Sequence, residues 1–283
     1  MLVSPDGSLE AGALSKMTKR IGINFHEGLQ LSRERLSSVL RFLRDNPGAN
    51  RDVIRRGTDL GANMAIAIPN LGVGCGFVEE AGNGRRLTEL GERVIVHDPF
   101  LEEMDSIWLM HFGLVDPAGR GPTYWGKLML DFLIVGAPRT SIELANVVSE
   151  GESVVRPKIQ AAVTKLTDGY TKADLLGNLA LMSWNGDAYV GTAPNARPSA
   201  AVVAYVLAKR WSDIHPDQLT AGMDTFLSAS RFQDIFRLSK LDIEALLEKV
   251  KQLGIIDLYT SAPPHQIVRR WHDVSEVMAG LYD

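Results

Sequence analysis

Apolar residues recur at helical spacing along much of this chain, and long alternating runs typical of extended strands are rare. The first helical stripe has four members: Leu36, Val39, Leu40 and Leu43. Asn46-Pro47-Gly48 should end this helix, because proline cannot continue one. The pattern therefore predicts a mainly α-helical fold.

Two further short helices and a hairpin are predicted directly after the first helix. Asn50 has the side chain to cap a helix starting at Arg51, and a third, strongly apolar helix is predicted near Asn63. Ala81-Gly82-Asn83-Gly84 then lies between two short extended stretches, where glycine permits a tight turn. Three helices followed by a hairpin indicate a winged helix-turn-helix module.

A similar order of signals appears twice more. Thr140 and Glu143 have the spacing of a capping box, and a strand pair is expected around Tyr189. Ser239 and Asp242 repeat the capping spacing before a second apolar helix. The helix of the second module should bury one stripe: Val155, Ile159, Ala162, Val163 and Leu166.

We therefore predict tandem winged helix-turn-helix modules with short β-wings in a mainly α fold. The expected divisions are a flexible tail, a winged-helix module, a helical connector, a second winged-helix-like module and a C-terminal helical or winged-helix-like module. Their boundaries are 1–20, 21–97, 98–137, 138–193 and 194–283, respectively.

Composition narrows the class of protein. Hydrophobic residues make up 45% of the chain and charged residues 23%, as in ordinary globular proteins. No apolar run is long enough to cross a bilayer, and no signal peptide is evident, so we expect a cytoplasmic protein without membrane contact. Cys75 is the single cysteine, which excludes an internal disulfide and multi-thiolate zinc sites.

Charge is unevenly distributed. The net charge is −4, yet residues 16–56 hold ten Lys or Arg against four Asp or Glu. Such a local basic face suits contact with double-stranded DNA, although it also fits an ordinary solvated surface. The candidate DNA-binding residues are Arg41, Arg44, Arg51, Arg55, Arg56, Asn63, Arg85 and Arg86, with the last two arginines expected at the wing tip.

Four residues are candidates for acid/base or metal chemistry. His26-Glu27 and His97-Asp98 each place an imidazole beside a carboxylate, and three further carboxylates follow Asp98. Local hydrogen bonding and solvent exposure are the plainer interpretation of these pairs. No nucleotide or metal motif is recognisable, so no cofactor is evident. A divalent metal is expected only if the chain itself cleaves DNA.

Seven short segments, taken in order, resemble a bacterial family known as domain of unknown function 4007. They are Phe25-His26-Glu27, Leu60-Gly61 with Asn63-Met64, Leu87-Thr88-Glu89-Leu90-Gly91, Asp98-Pro99-Phe100-Leu101-Glu102, Ile107-Trp108-Leu109-Met110-His111-Phe112, Pro198 to Trp211, and Phe236-Arg237-Leu238-Ser239. The family's pattern commonly has a lysine between Gly61 and Asn63, where this chain has Ala62. The resemblance spans nearly the whole chain.

This resemblance implies a DNA-binding component of a bacterial DNA phosphorothioate modification or defence system, which also protects against phage. One member of such systems nicks DNA, so the resemblance makes this chain a candidate nicking endonuclease, and other phosphorothioation proteins are expected partners. Two alternatives remain open. One is a noncatalytic adaptor that assembles modification proteins. The other is a winged-helix transcriptional regulator, which would need basic residues on its recognition helix.

Overall fold

The structure is a computed structural model that describes residues 19–150 and 153–283. The tail expected at residues 1–20 therefore lies outside the described residues, apart from Lys19 and Arg20. The expected mainly helical fold with small antiparallel sheets is confirmed by the observed elements. Three segments, which we call the first, second and third units, each combine helices with a small antiparallel sheet.

The first unit, residues 33–87, begins with three helices and ends with a hairpin. Ser32 caps its first helix by accepting a hydrogen bond from the Arg35 N–H at 3.3 Å. A bridge between Ala49 and Arg85 adds a third extended segment beside the hairpin. The elements are α1 (Arg33–Asp45), α2 (Arg51–Thr58), α3 (Met64–Gly74), β1 (Val78–Ala81) and β2 (Gly84–Leu87).

A helical connector follows the first unit. Its helices are α4 (Glu89–His97), α5 (Met104–Val115) and α6 (Thr123–Gly126), and a π-helical segment covers Lys127–Phe132. Nine of the twelve residues of α5 are buried, so this helix lies within the core. The connector thus supplies central packing surface as well as linking the units.

The second unit, residues 138–191, has its three strands in the order β3-β5-β4. The predicted capping box is confirmed, since Thr140 and Glu143 exchange side-chain and backbone hydrogen bonds. The predicted stripe is buried except for Val155, which precedes the helix and is exposed. The elements are β3 (Pro138–Arg139), α7 (Ser141–Ser149), α8 (Arg156–Thr171), a 3-10 turn (Gly177–Leu179), β4 (Met182–Trp184) and β5 (Tyr189–Gly191).

The third unit, residues 200–269, repeats this strand order as β6-β8-β7. Ser239 caps its last long helix by accepting from the Asp242 N–H, as the sequence predicts. Its elements are α9 (Ala200–Ile214), β6 (Thr220–Gly222), α10 (Met223–Ala229), α11 (Phe232–Phe236), α12 (Lys240–Gln252), β7 (Ile256–Tyr259) and β8 (Gln266–Arg269). A final helix, α13 (Val274–Met278), packs against α9.

One continuous hydrophobic core joins the three units and the connector. At its centre His111 of α5 is hydrogen-bonded to the Tyr170 hydroxyl at 2.7 Å and to the Ile235 carbonyl at 2.9 Å. Tyr170 also accepts from the Trp125 indole N–H at 3.1 Å. These bonds connect α8 of the second unit with α11 of the third through the connector. Both ring nitrogens of His111 are therefore hydrogen-bonded within the core.

No helix in the described ranges has both the length and the apolar character required to span a bilayer.

Candidate nucleic-acid interface

Three candidate arginines lie on α2, and the residue directly before this helix fixes where it begins. The Asn50 side chain accepts hydrogen bonds from the Asp52 and Val53 N–H groups, both at 3.1 Å, and so starts this helix. Ile54 is its one buried residue. Arg51, Arg55 and Arg56 are all exposed to solvent, which leaves their guanidinium groups accessible to a phosphate.

A groove of about 220 Å³ runs between α2, α3 and the hairpin. Arg51 and Arg85 both line it, together with Asn70 of α3. The Arg85 guanidinium donates to Asn70 Oδ1 at 3.3 Å and approaches Glu80 at 3.7 Å. The structure therefore places these two predicted arginines around a single concave surface.

Arg85 and Arg86 occupy β2, whereas the wing tip is formed by Gly82 and Asn83. Antiparallel register places Arg86 opposite Glu79 and Arg85 opposite Glu80. Arg86 Nε lies 2.7 Å from Glu79 Oε1. Exposed ion pairs of this kind contribute roughly 0–1 kcal/mol, and the facing carboxylates reduce the positive charge that the hairpin presents to a phosphate.

The third helix of the first unit, α3, exposes few polar side chains that could contact DNA bases. Eight of the eleven α3 residues are buried, and the chain has no Lys or Arg between Gly57 and Gly84. Asn63 is exposed just before α3, and its side chain makes no capping hydrogen bond. Asn70 is the only polar side chain on α3, and it is half-buried.

Arg41 and Arg44 are exposed on α1, but they do not line the groove that Arg51 and Arg85 share. The Arg41 guanidinium lies 5.1 Å from the centroid of the Phe100 ring, within a groove of about 710 Å³. Arg44 pairs with the adjacent Asp45 at 3.2 Å. Arg41 therefore lines a different groove from the one that Arg51 and Arg85 share.

The second unit carries exposed basic residues on a helix that the sequence analysis does not single out. Exposed Arg156, Lys158 and Gln160 lie at the start of α8, and Lys165 is half-buried further along. The first turn of α8 has no acidic residue, and Asp168 is the only acid in the helix. We call the exposed surface of α8 the α8 face; Arg156 and Gln160 lie along one of its edges, and Lys158 and Lys165 lie along the other. These polar residues fall between the buried positions of the stripe, which is the signal that could have identified them.

The equivalent helix of the third unit is different again. Three lysines and three carboxylates balance along α12, and several of them pair with one another or with neighbours. Among α3, α8 and α12, the helices that precede the hairpins of the three units, only α8 thus carries excess positive charge.

The first candidate catalytic pair lies in a turn before α1. His26 is fully buried, and its Nδ1 accepts a hydrogen bond from the Gly28 N–H at 2.9 Å. Burial, aided by the positive charge of Lys165, lowers the pKa of His26 to about 4. The imidazole is consequently neutral at physiological pH. Glu27 is half-buried and has a positive φ of 48°.

The second candidate pair has separate structural roles. The exposed His97 ring stacks on Tyr282, with ring centroids 5.3 Å apart. Asp98 is buried, and its two carboxylate oxygens accept from the Glu102 and Glu103 N–H groups at 3.0 and 2.9 Å. Asp98 thus fixes the turn that leads into α5.

Within the described residues, no group of three or more His, Cys, Asp or Glu side chains is arranged to hold a metal ion. The two candidate pairs therefore do not form a multidentate metal site in this part of the chain.

Comparison with known proteins identifies a shared fold. The crystal structure of SspB superposes with a TM-score of 0.75 at 18% sequence identity, covering 93% of this chain and 87% of SspB. A magnesium ion-bound SspB structure gives the same TM-score at 19% identity, covering 92% of this chain and 87% of that one. The chain has the SspB fold. No family model matches it, and no curated protein does.

Proposed function

We propose that this protein is a DNA-binding component of a bacterial DNA phosphorothioate modification or defence system. Two similarities support the system: the ordered motifs that resemble family 4007, and the fold shared with SspB, a phosphorothioation-system protein. The observation that supports DNA as the ligand is the α8 face, which presents the exposed Arg156 and Lys158 at its two edges and belongs to a helix with a single acidic residue.

We interpret the three units as winged-helix modules with different roles. In such modules the helix that precedes the hairpin enters a DNA groove, and the hairpin contacts the backbone beside it. The α8 face gives the second unit the charge for this role, whereas α3 is too buried. The first unit would instead contact phosphates through Arg55 and Arg56 of α2. Both surfaces would act chiefly through electrostatic attraction to the DNA backbone.

Binding rather than strand cleavage is the function we assign to the chain. The imidazole of His26 is buried, and both oxygens of Asp98 are engaged by backbone N–H groups. A general acid or base must reach the proton that it transfers. Neither side chain is available in this way, so a nicking activity would be supplied by other residues or by a partner.

The salt dependence of binding tests this proposal. In the variant Arg156→Gln/Lys158→Gln, the slope of log affinity against log salt for a DNA duplex should fall by about 0.9 for each lost phosphate contact. Arg55→Gln/Arg56→Gln should behave in the same way. Fluorescence anisotropy over a series of salt concentrations measures both slopes.

The matched control is Lys249→Gln/Lys251→Gln, which removes two lysines from the charge-balanced helix α12. Its slope should equal that of the parent protein. If all three double variants retain the parent's affinity and slope, neither surface binds DNA.

An adaptor role is the second candidate, and exposed leucines of the third unit favour it. Leu241 at the start of α12 is 77% exposed, and Leu219 is 60% exposed. Large apolar side chains in solvent are more typical of protein contacts than of DNA contacts. Failure of DNA binding in the experiment above would transfer support to this role.

A further inference from the structure

Three flat side chains lie side by side on one face of the sheet of the second unit, and a fourth, Phe132 at the end of the π-helical segment, lies beside them. Arg139 of β3 and Trp184 of β4 are both register partners of Tyr189 in β5, so their side chains leave the same face of the sheet. The Trp184 and Tyr189 ring centroids are 4.6 Å apart. On the other side, the Arg139 guanidinium lies 4.5 Å from the Phe132 ring centroid. We call Phe132, Arg139, Tyr189 and Trp184 the aromatic row.

The row extends from the edge of the core into solvent. Met182, on the same face two residues before Trp184, is buried. Tyr189 is half-buried, and Trp184 is 48% exposed. The other four tryptophans of the chain are at most 4% exposed. Trp184 therefore presents an indole surface that the fold itself leaves uncovered.

The aromatic row belongs to the same unit as the α8 face. Helix α8 packs against β4, the strand that carries Trp184. One unit thus combines stacking surfaces with a cationic helix. Glu143, which caps α7 through Thr140, is the acidic group whose charge interacts with Arg139, and Asp187 lies in the hairpin turn. Because these two acidic residues lie near the aromatic row, the positive charge that attracts a polyanion to this unit must come from Arg139 and from the basic residues of α8.

We propose that the aromatic row stacks unpaired bases of single-stranded DNA while the α8 face contacts the adjoining backbone. This inference rests on the proposed DNA-binding function and specifies its substrate as DNA with an unpaired segment. Aromatic rings and guanidinium planes stack on any base, because every base has a π face. In a duplex these faces are covered by neighbouring base pairs, so only unpaired bases can use the row. An apolar protein partner is the competing occupant.

Trp184 supplies a direct readout of occupancy. Acrylamide, a neutral quencher, should reach this indole far more readily than the four buried ones. Saturating oligothymidylate should protect the quenchable fraction of the fluorescence, whereas a blunt-ended duplex with no unpaired bases, bound at the other surfaces, should protect it much less. Lack of protection by oligothymidylate that is demonstrably bound would overturn the proposal and favour the protein partner.

Variants give the second measurement. Trp184→Ala should weaken oligothymidylate binding roughly tenfold, as expected for the loss of one base–aromatic stack, and should leave duplex affinity unchanged. Trp184→Phe should retain most of the affinity because it keeps a ring. The matched control is Tyr259→Ala, which removes an exposed aromatic residue from the last position of β7, the equivalent strand of the third unit.

The outcomes separate the two proposals. Parent protein that binds neither duplex nor oligothymidylate overturns the proposed function and this inference together. Parent protein that binds both, with Trp184→Ala indistinguishable from the parent on oligothymidylate, overturns the inference alone. Thermal unfolding of Trp184→Ala and Trp184→Phe at the parent's temperature assigns any loss of affinity to stacking rather than to misfolding.

Discussion

At the scale of single residues, His111 has the best-defined role. The Ile235 carbonyl can only accept a hydrogen bond, so His111 Nε2 must carry the proton and Nδ1 must accept from the Tyr170 hydroxyl. Burial lowers the pKa of His111 to about 3, compared with 6.5 for a free histidine. The neutral imidazole is therefore part of the folded state throughout the physiological range.

This depressed pKa predicts how stability depends on pH. Below pH 6.5 the unfolded chain binds a proton at His111 that the folded chain does not bind, so the contribution is present above 6.5 and is lost as pH falls toward 3. Between about pH 6.5 and pH 5 the loss should be roughly 1.4 kcal/mol per pH unit. Urea unfolding at several pH values should show a shallower pH dependence for His111→Gln than for the parent.

The control for this prediction is His272→Gln, because His272 is exposed near the C-terminus. That variant should follow the parent at every pH. Equal pH dependence in His111→Gln and the parent would mean that His111 is not held neutral by the core.

At the scale of elements, the first unit depends on a close approach of two backbone segments. The Gly48 N–H donates to the Arg85 carbonyl at 2.8 Å, and the Arg85 N–H donates to the Ala49 carbonyl at 3.0 Å. A Cβ atom at Gly84 would lie 2.0 Å from the Gly48 carbonyl oxygen. The bridge that aligns the hairpin with α2 thus requires glycine at position 84.

Gly84→Ala should consequently destabilise the protein by about 1–3 kcal/mol, the usual cost of inserting a methyl group into a tightly packed site. It should also weaken duplex binding, because the Ala49–Arg85 bridge positions the start of α2, the helix that carries Arg55 and Arg56. Chemical denaturation and anisotropy measure the two effects. Gly61→Ala is the control, since no atom lies within 4 Å of a Cβ there. Equal destabilisation by both substitutions would contradict this account.

The elements also show which features sequence reasoning can recover. Caps at Asn50, Thr140 and Ser239 were predictable because each depends on residues only two or three positions away. The aromatic row was not, since it requires the register of three strands drawn from separate parts of the second unit. The engagement of Asp98 by backbone N–H groups was likewise invisible, because a carboxylate has the same sequence signature in a turn as in a catalytic site.

The sequence analysis does not identify the α8 face, and the reason is a different one. The distribution of charge along the sequence favours residues 16–56, where basic residues are most concentrated. Position in the sequence does not show which charges remain free of ion pairs or which helix surface faces solvent. Arg85 and Arg86 face carboxylates across the hairpin, whereas Arg156 and Lys158 lie on an exposed helix surface.

At the scale of the whole molecule, the continuous core makes the three units one folding entity. Trp125 contacts Tyr170 of the second unit, and the indole of Trp108 packs against Phe236 of the third. Neither the second nor the third unit can unfold without exposing buried surface of the connector.

We therefore expect one cooperative unfolding transition for the whole chain. Fluorescence of Trp125 and of Trp211, isolated by replacing the other tryptophans with phenylalanine, should report the same midpoint as circular dichroism. Trp211 lies in the third unit and Trp125 in the connector, so the two probes sample different regions. Resolved midpoints would show that the units unfold independently.

The shared core has a consequence for how the molecule would hold DNA. Because α2 and α8 are embedded in the same rigid packing, their cationic surfaces keep a fixed separation and orientation. Once one surface has captured a DNA molecule, the other encounters that molecule at a high effective concentration, without the entropic cost that a flexible linker would impose. A strand whose path matches the fixed geometry gains from both contacts, whereas a strand of any other shape engages only one.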